Sequence, residues 1–299
     1  MSGLTGGGIL PPTMAELPSL LLGSLVLRPY VFAFLAIYLV AAVAEWGWRR
    51  TAAFTGLAGG LAFVAEWSST RVGVPFGLYH YTESTRGREL YLGNVPFFDP
   101  LSFTFLVYAS LGLARLVLAR PGRPRRAVGA RPLPLVGGTG LLMMWLDLVI
   151  DPLAVRGDRW FLGRIFYYPD PGPYFGVPVA NFVGWALLGS LIAGAWLLVT
   201  QRVGGAPPRW AGRLPGRRYQ AALLYYLVLA FNLALTGLVA EPGLFWAGVT
   251  LHLPLAVLVV SSVALDTRAR TQDIARREPG LTPSAMPSAA HSRQRDHQI

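Results

Sequence analysis

The chain has no cysteine and, although strongly basic, no lysine; its 26 basic residues are all arginine. Without cysteine there is no disulfide framework, no thiolate nucleophile and no Cys-ligated zinc or iron–sulfur centre. Without lysine there is no Schiff base, which excludes a seven-helix retinal protein, and no Gly-x-x-x-x-Gly-Lys phosphate loop. A Gly-x-Ser-x-Gly nucleophile elbow is missing as well. His80 and His252 lack the His-x-x-x-His or His-x-x-His spacing of membrane desaturases and hydroxylases, so no metal site is expected. Charge of either sign is scarce: 14% of residues are charged and 53% are hydrophobic, with a mean hydropathy of +0.45. No soluble domain is built from such a composition.

What is present is a succession of apolar runs, each near the ~20 residues needed to cross a bilayer. They fall at 29–46, 52–70, 99–119, 133–155, 177–200, 219–240 and 243–265. The expected fold is all-α: a polytopic integral membrane helical bundle of about seven transmembrane helices. Residues 1–28 form an N-terminal segment, with 20–27 as an interfacial or re-entrant piece cut off by Arg28-Pro29. The membrane domain is expected over 29–267 and a disordered tail over 268–299. The first 18 residues have no basic n-region, so the first span is expected to act as the insertion signal.

Most of the arginines fall after the first, third and fifth spans and at the start of the tail, and those in the loops of the other side are largely offset by Glu83, Glu89, Asp158 and Asp170. In a seven-span arrangement these positions share one side. By the positive-inside rule that side is the cytoplasm, with the N-terminus outside a multi-pass cell membrane protein and the C-terminus within. The net charge of +11 therefore reads as topology and contact with anionic membrane lipid, and no nucleic-acid partner is expected from basic residues scattered over short loops.

One motif occurs twice. Tyr91-Leu-Gly-Asn-Val-Pro96-Phe-Phe-Asp99 and Tyr174-Phe-Gly-Val-Pro178-Val-Ala-Asn181 share Tyr-x-Gly, then Val-Pro-x-x-[Asp/Asn]. The first copy has one additional residue, Asn94. Glu66 precedes Pro96 by 30 positions (96 − 66) and Asp147 precedes Pro178 by 31 (178 − 147). The chain thus contains an internal repeat, about 52–119 and 133–200, and each unit offers an acid to one interior.

A carboxyl inside a span is expensive to insert and marks a functional site by default. Asp147 and Asp151 stand four apart, on one helix face. A carboxyl stripped of water and set beside a second acid holds its proton more tightly than one in solution, which suits a general acid. Blander roles remain open: Asp151 before Pro152 as a helix terminator, Glu66 paired with Arg71, and His252 as a helix-to-helix hydrogen bond. Asp147-x-x-x-Asp151 also matches half of a magnesium-diphosphate site of the UbiA-type membrane prenyltransferases, but a second Asp-rich cluster and its basic partners are not visible.

The segments Ala65-Glu66-Trp67, Val74-Pro75-Phe76-Gly77-Leu78-Tyr79-His80-Tyr81, Gly93-Asn94-Val95-Pro96, Asp147 to Pro152 and Tyr174 through Asn181 to Trp185 resemble the membrane-integral carotenoid 1,2-hydratases. That family acts on gamma-carotene or bisanhydrobacterioruberin end groups, and the resemblance covers about 61–191. Asp99 departs from its pattern, as does the long approach over 167–173, so Asp99 stands outside the expected catalytic set. The resemblance implies hydration of the terminal C1–C2 double bond of an acyclic (ψ) carotenoid end, without a cofactor. Its expected catalytic residues are Glu66, Asp147 and Asp151. Trp67, Phe76, Tyr79, His80, Tyr81, Tyr174, Asn181 and Trp185 are expected to bind the substrate. The expected partners are the carotenoid, water, membrane lipid and other enzymes of the pathway. The competing readings are a non-enzymatic carotenoid- or lipid-binding membrane protein and, more weakly, a transporter.

Overall fold

The computed structural model describes residues 13–119, 132–214, 216–239 and 241–277, with side chains as far as 268. Of the described residues, 73% are helical. Among the described residues there are eight helices: α1 (Leu17–Leu27), α2 (Pro29–Trp46), α3 (Trp48–Val72), α4 (Phe98–Leu118), α5 (Pro132–Ala154), α6 (Val179–Val199), α7 (Gln220–Leu238) and α8 (Pro242–Arg277). Each of the seven expected spans is one of these helices. Six are long and apolar enough to cross a membrane. The seventh, α3, is 25 residues long, or about 37 Å at 1.5 Å per residue. It is less apolar because Arg49, Arg50, Glu66 and Arg71 lie on it. The piece before Arg28-Pro29 is the separate helix α1. At the other end α8 runs on to Arg277, past the expected boundary at 267. Its last turns are rich in Ala, Arg and Gln, which are good helix formers. The rest of the expected tail, 278–299, lies outside the described residues.

The centre of the bundle is α4, which packs against α2, α3, α5, α6, α7 and α8. Two-thirds of its apolar stretch (67%) is buried, against 17% for α8 at the periphery. The two expected repeat units correspond to the helix pairs α3–α4 and α5–α6. In each, the C-terminal end of the first helix and the N-terminal end of the second lie at the same end of the bundle, joined by a loop that carries the repeated motif.

Each motif folds as a tight reversal. In the first, β2 (Tyr91–Leu92) pairs with β3 (Val95–Pro96) around Gly93, whose φ is +65°. In the second, Tyr174 bridges Val177 around Phe175 and Gly176, at φ +51° and +88°. The proline after each reversal leads into the next helix. Asn94, the additional residue, donates to Thr70 Oγ1 at 3.0 Å and accepts from Arg71 at 2.9 Å, tying the longer hairpin to the end of α3. The two long loops are joined to each other by β1 (His80–Tyr81) and β4 (Phe166–Tyr167), antiparallel, with Tyr81 opposite Phe166.

Small residues let α5 and α6 approach closely, the usual device where helices meet in lipid. A Cβ on Gly140 would fall 2.1 Å from the Ala186 carbonyl oxygen, whereas one on Gly137 would meet nothing within 4 Å. Gly140→Ala is therefore expected to cost about 1–3 kcal/mol of stability by overpacking. Gly137→Ala should be neutral or slightly stabilising. Thermal unfolding in detergent checks this, and equal melting of the two variants would contradict it. His252 Nδ1 lies 2.9 Å from Gly248 O, one turn back on its own helix, and its ring lies beside Trp145 of α5, with centroids 6.4 Å apart. The α5–α8 bond is made by Trp145 Nε1, which donates to Leu251 O at 3.1 Å.

Candidate active site

At the loop end of the bundle lies a cavity of about 120 Å³, walled by α2 to α7 and the two loops. Glu66, near the end of α3, and Asp151, near the end of α5, reach its wall, as do Asp99 and Asn181 from the first turns of α4 and α6. Tyr81 and Asp147 stand one step behind. Glu66, Asp147 and Asn181 are buried.

The polar groups form two halves that follow the repeat. In the first, Tyr81 Oη lies 3.1 Å from Glu66 Oε2 and 2.7 Å from Asp99 Oδ2. In the second, Asn181 Nδ2 donates to both Asp147 Oδ2 and Asp151 Oδ2, each at 2.7 Å. That double donation leaves the Asn181 carbonyl oxygen free as an acceptor. Glu66 Oε1 and Asp147 Oδ1 are buried without a hydrogen-bond partner among the described residues. Arg71, the alternative partner for Glu66, instead donates to Trp67 O and Asn94. Asp151 lies within α5 rather than capping it, because the helix continues through Pro152 to Ala154.

The phenols come from the loops. Burial, with Asp99 and Glu66 beside it, pushes the Tyr81 hydroxyl well above its ordinary pKa, so it remains a proton donor. Burial and then Glu66 do the same to Tyr79. Opposite them are apolar rings: Phe103 and Trp185 lie 4.7 Å apart, and Phe76 is 5.9 Å from Phe103. Away from the acids the wall is continued by Tyr30, Phe34, Phe105 and Phe231. Among the described residues it contains no arginine, which leaves a diphosphate without a counter-charge.

Of the expected substrate-binding residues, Phe76, Tyr79, Asn181 and Trp185 line the cavity, and Tyr81 contacts its carboxyls. Trp67, His80 and Tyr174 do not line it. Trp67 is exposed on the outer face of α3 under the Arg71 guanidinium, 4.1 Å from its ring centroid. His80 packs against Tyr167 across the loop pairing, with the rings tilted by 53°, and Tyr174 packs on Phe175 and Phe182. Asp99, set aside in the sequence, stands in the wall. The repeat carries the signal for it: Asp99 occupies in the first unit the position of Asn181 in the second.

Residues 26–260 match the family described as carotenoid biosynthesis protein. The chain belongs to that family. One similar curated protein is a bisanhydrobacterioruberin hydratase of Haloarcula japonica, 37% identical over 139 residues, which cover 44% of this chain and 42% of that protein. The match thus spans less than half the length of that relative. No solved structure matches the chain. Membership of the carotenoid biosynthesis family fits a cavity that is mainly aromatic and set among membrane spans.

Proposed function

We propose that the protein is a carotenoid hydratase, a hydro-lyase that adds water across the terminal C1–C2 double bond of an acyclic ψ end group by acid catalysis without a cofactor. The observation that carries this reading is the convergence of Glu66, Asp99, Asp151 and Asn181 on one aromatic cavity. A binding protein or scaffold has no need of buried acids in its groove, whereas alkene hydration requires them. The similarity to a named hydratase supports the same reading.

Size decides how a substrate fits. A cavity of about 120 Å³ is close to those that take a benzene-sized group, so it accepts one isoprenoid end and not a C40 chain. The remaining polyene, about as long as the ~30 Å hydrocarbon core, continues past Tyr30 and Phe231 between helices and lipid.

In the reaction Glu66 gives its proton to C2, leaving a tertiary cation at C1. The faces of Phe76, Phe103 and Trp185 offset that cation. Asn181, fixed by the two aspartates, orients one water through its carbonyl oxygen. The water oxygen bonds to C1, and its proton leaves to a carboxylate of the wall.

Orientation follows from the arginines: the cavity opens on the face away from the Arg-rich connections, the outer face of the cell membrane. Reporter fusions after Arg126 and after Arg209 are both expected to report cytoplasm, and opposite reports would overturn this orientation. The function itself is tested by expression in hosts accumulating lycopene or gamma-carotene, with mass analysis of the pigment. Addition of one water to an acyclic end is expected; unchanged pigment in both hosts would refute the reading.

A further inference from the structure

The Tyr81 hydroxyl lies within hydrogen-bond distance of two carboxyls, 2.7 Å from Asp99 and 3.1 Å from Glu66. It carries a single proton, so it can donate to only one of them at a time. The shorter contact is that expected when a hydroxyl donates to a carboxylate, which makes Asp99 the ionised member. Glu66 Oε1 is buried without a partner in the cavity wall. Oε2 of Glu66 thus meets Tyr81, and Oε1 is left unengaged.

On the hydratase reading above, we infer that Asp99 is the base that takes the proton of the attacking water, and that Tyr81 returns that proton to Glu66. The proton balance closes within the first repeat unit. Glu66 Oε1–H gives its proton to C2 as the C1–C2 π bond breaks. Water bonds to C1 and loses one proton to Asp99, giving the tertiary alcohol. The Asp99 proton then moves to Tyr81 Oη as the Tyr81 proton moves to Glu66 Oε2, and a half-turn of the Glu66 carboxyl brings that proton back to the side from which the first one left. Glu66 is again protonated and Asp99 again ionised, with no external donor or acceptor. The repeat explains the division of labour: at matching positions one unit has the carboxylate Asp99, which takes a proton, and the other its amide Asn181, which only orients the water. Asp99 touches the reacting water and is catalytic; Tyr81 acts through its two neighbours.

The relay separates the first turnover from later ones. The purified full chain is mixed with lycopene, both of whose ends are acyclic, under single-turnover and then multiple-turnover conditions. Tyr81→Phe keeps the ring 5.4 Å from Tyr79 and removes only the hydroxyl. Because Glu66 starts protonated, its first turnover should stay within about twofold of the parent, while the steady-state rate falls roughly tenfold. Asp99→Asn should slow both phases on the order of 10²-fold, and Asp99→Glu should recover part of that loss. Retained carotenoid and an unchanged elution volume in detergent establish that each variant is folded. A Tyr81→Phe variant slowed equally in both phases, or an Asp99→Asn variant as fast as the parent, would overturn the relay alone. A parent chain that adds no water to lycopene or gamma-carotene would overturn the hydratase reading and the relay with it.

Discussion

Glu66→Gln is expected to abolish hydration while leaving carotenoid retention and folding nearly intact. The carboxamide has the volume of the carboxyl and keeps a polar atom opposite Tyr81 at the 3.1 Å contact. What it loses is the transferable proton. Protonation of the alkene is the step that forms the cation, and removal of a positioned general acid typically costs about 10²- to 10⁴-fold. Neither Tyr81 nor Asp147 is placed to replace it. Tyr81 is a phenol made less acidic by burial and by Asp99 and Glu66, and Asp147 stands behind the wall rather than in it. The pigment extracted from a host expressing Glu66→Gln should therefore be unhydrated carotene still bound to the protein. Hydroxylated carotenoid formed at a rate close to the parent's would remove Glu66 from the role and leave Asp151 as the candidate.

The helices were legible because a bilayer imposes a length, and apolar runs of that length stand out between arginine-rich connections. The direction of individual side chains was less legible, for geometric reasons. Trp67 is adjacent to Glu66 in sequence, but one residue along an α-helix turns about 100° around its axis. Glu66 therefore faces the cavity while Trp67 is exposed on the outside. His80 fails for the corresponding reason in an extended segment, where neighbours point to opposite faces: Tyr79 and Tyr81 turn inward and His80 meets Tyr167. Both cases follow from periodicity, so the sequence contained the correction. Asp99 was legible in a different way, through its match to Asn181 in the second copy of the motif. The shared hydroxyl of Tyr81 was not legible, because it depends on how the 80s loop folds back over the ends of α3 and α4. Least visible of all was the partner of Arg28, which marks the break between α1 and α2 in the sequence and finds its counter-charge 61 residues away.

That partner is Glu89, and separating the two is expected to be the most damaging change to stability. Both side chains are almost fully buried, at 1% and 0% exposure. Arg28 Nη2 and Nε donate to the two carboxylate oxygens at 2.8 and 3.2 Å, and Nη1 donates to Leu162 O at 2.6 Å. The guanidinium also lies 4.6 Å from the centroid of the Phe98 ring, and Thr85 holds Glu89 from the other side. One arginine thus joins the α1–α2 break to both loops that cover the cavity and to the first turn of α4, next to Asp99. Removing one charge leaves the other buried and unpaired, which costs about 3–5 kcal/mol, whereas replacing both by apolar groups of similar volume is often neutral. Glu89→Gln should accordingly lower the melting temperature in detergent sharply and loosen the loops that carry Tyr81 and Tyr168. The double variant Arg28→Met/Glu89→Leu should recover much of that loss. Melting that falls further in the double variant than in Glu89→Gln would mean that the pair is worth more than its desolvation cost, and that its hydrogen bonds to Leu162 and Thr85, rather than the matched charges, hold the loops over the cavity.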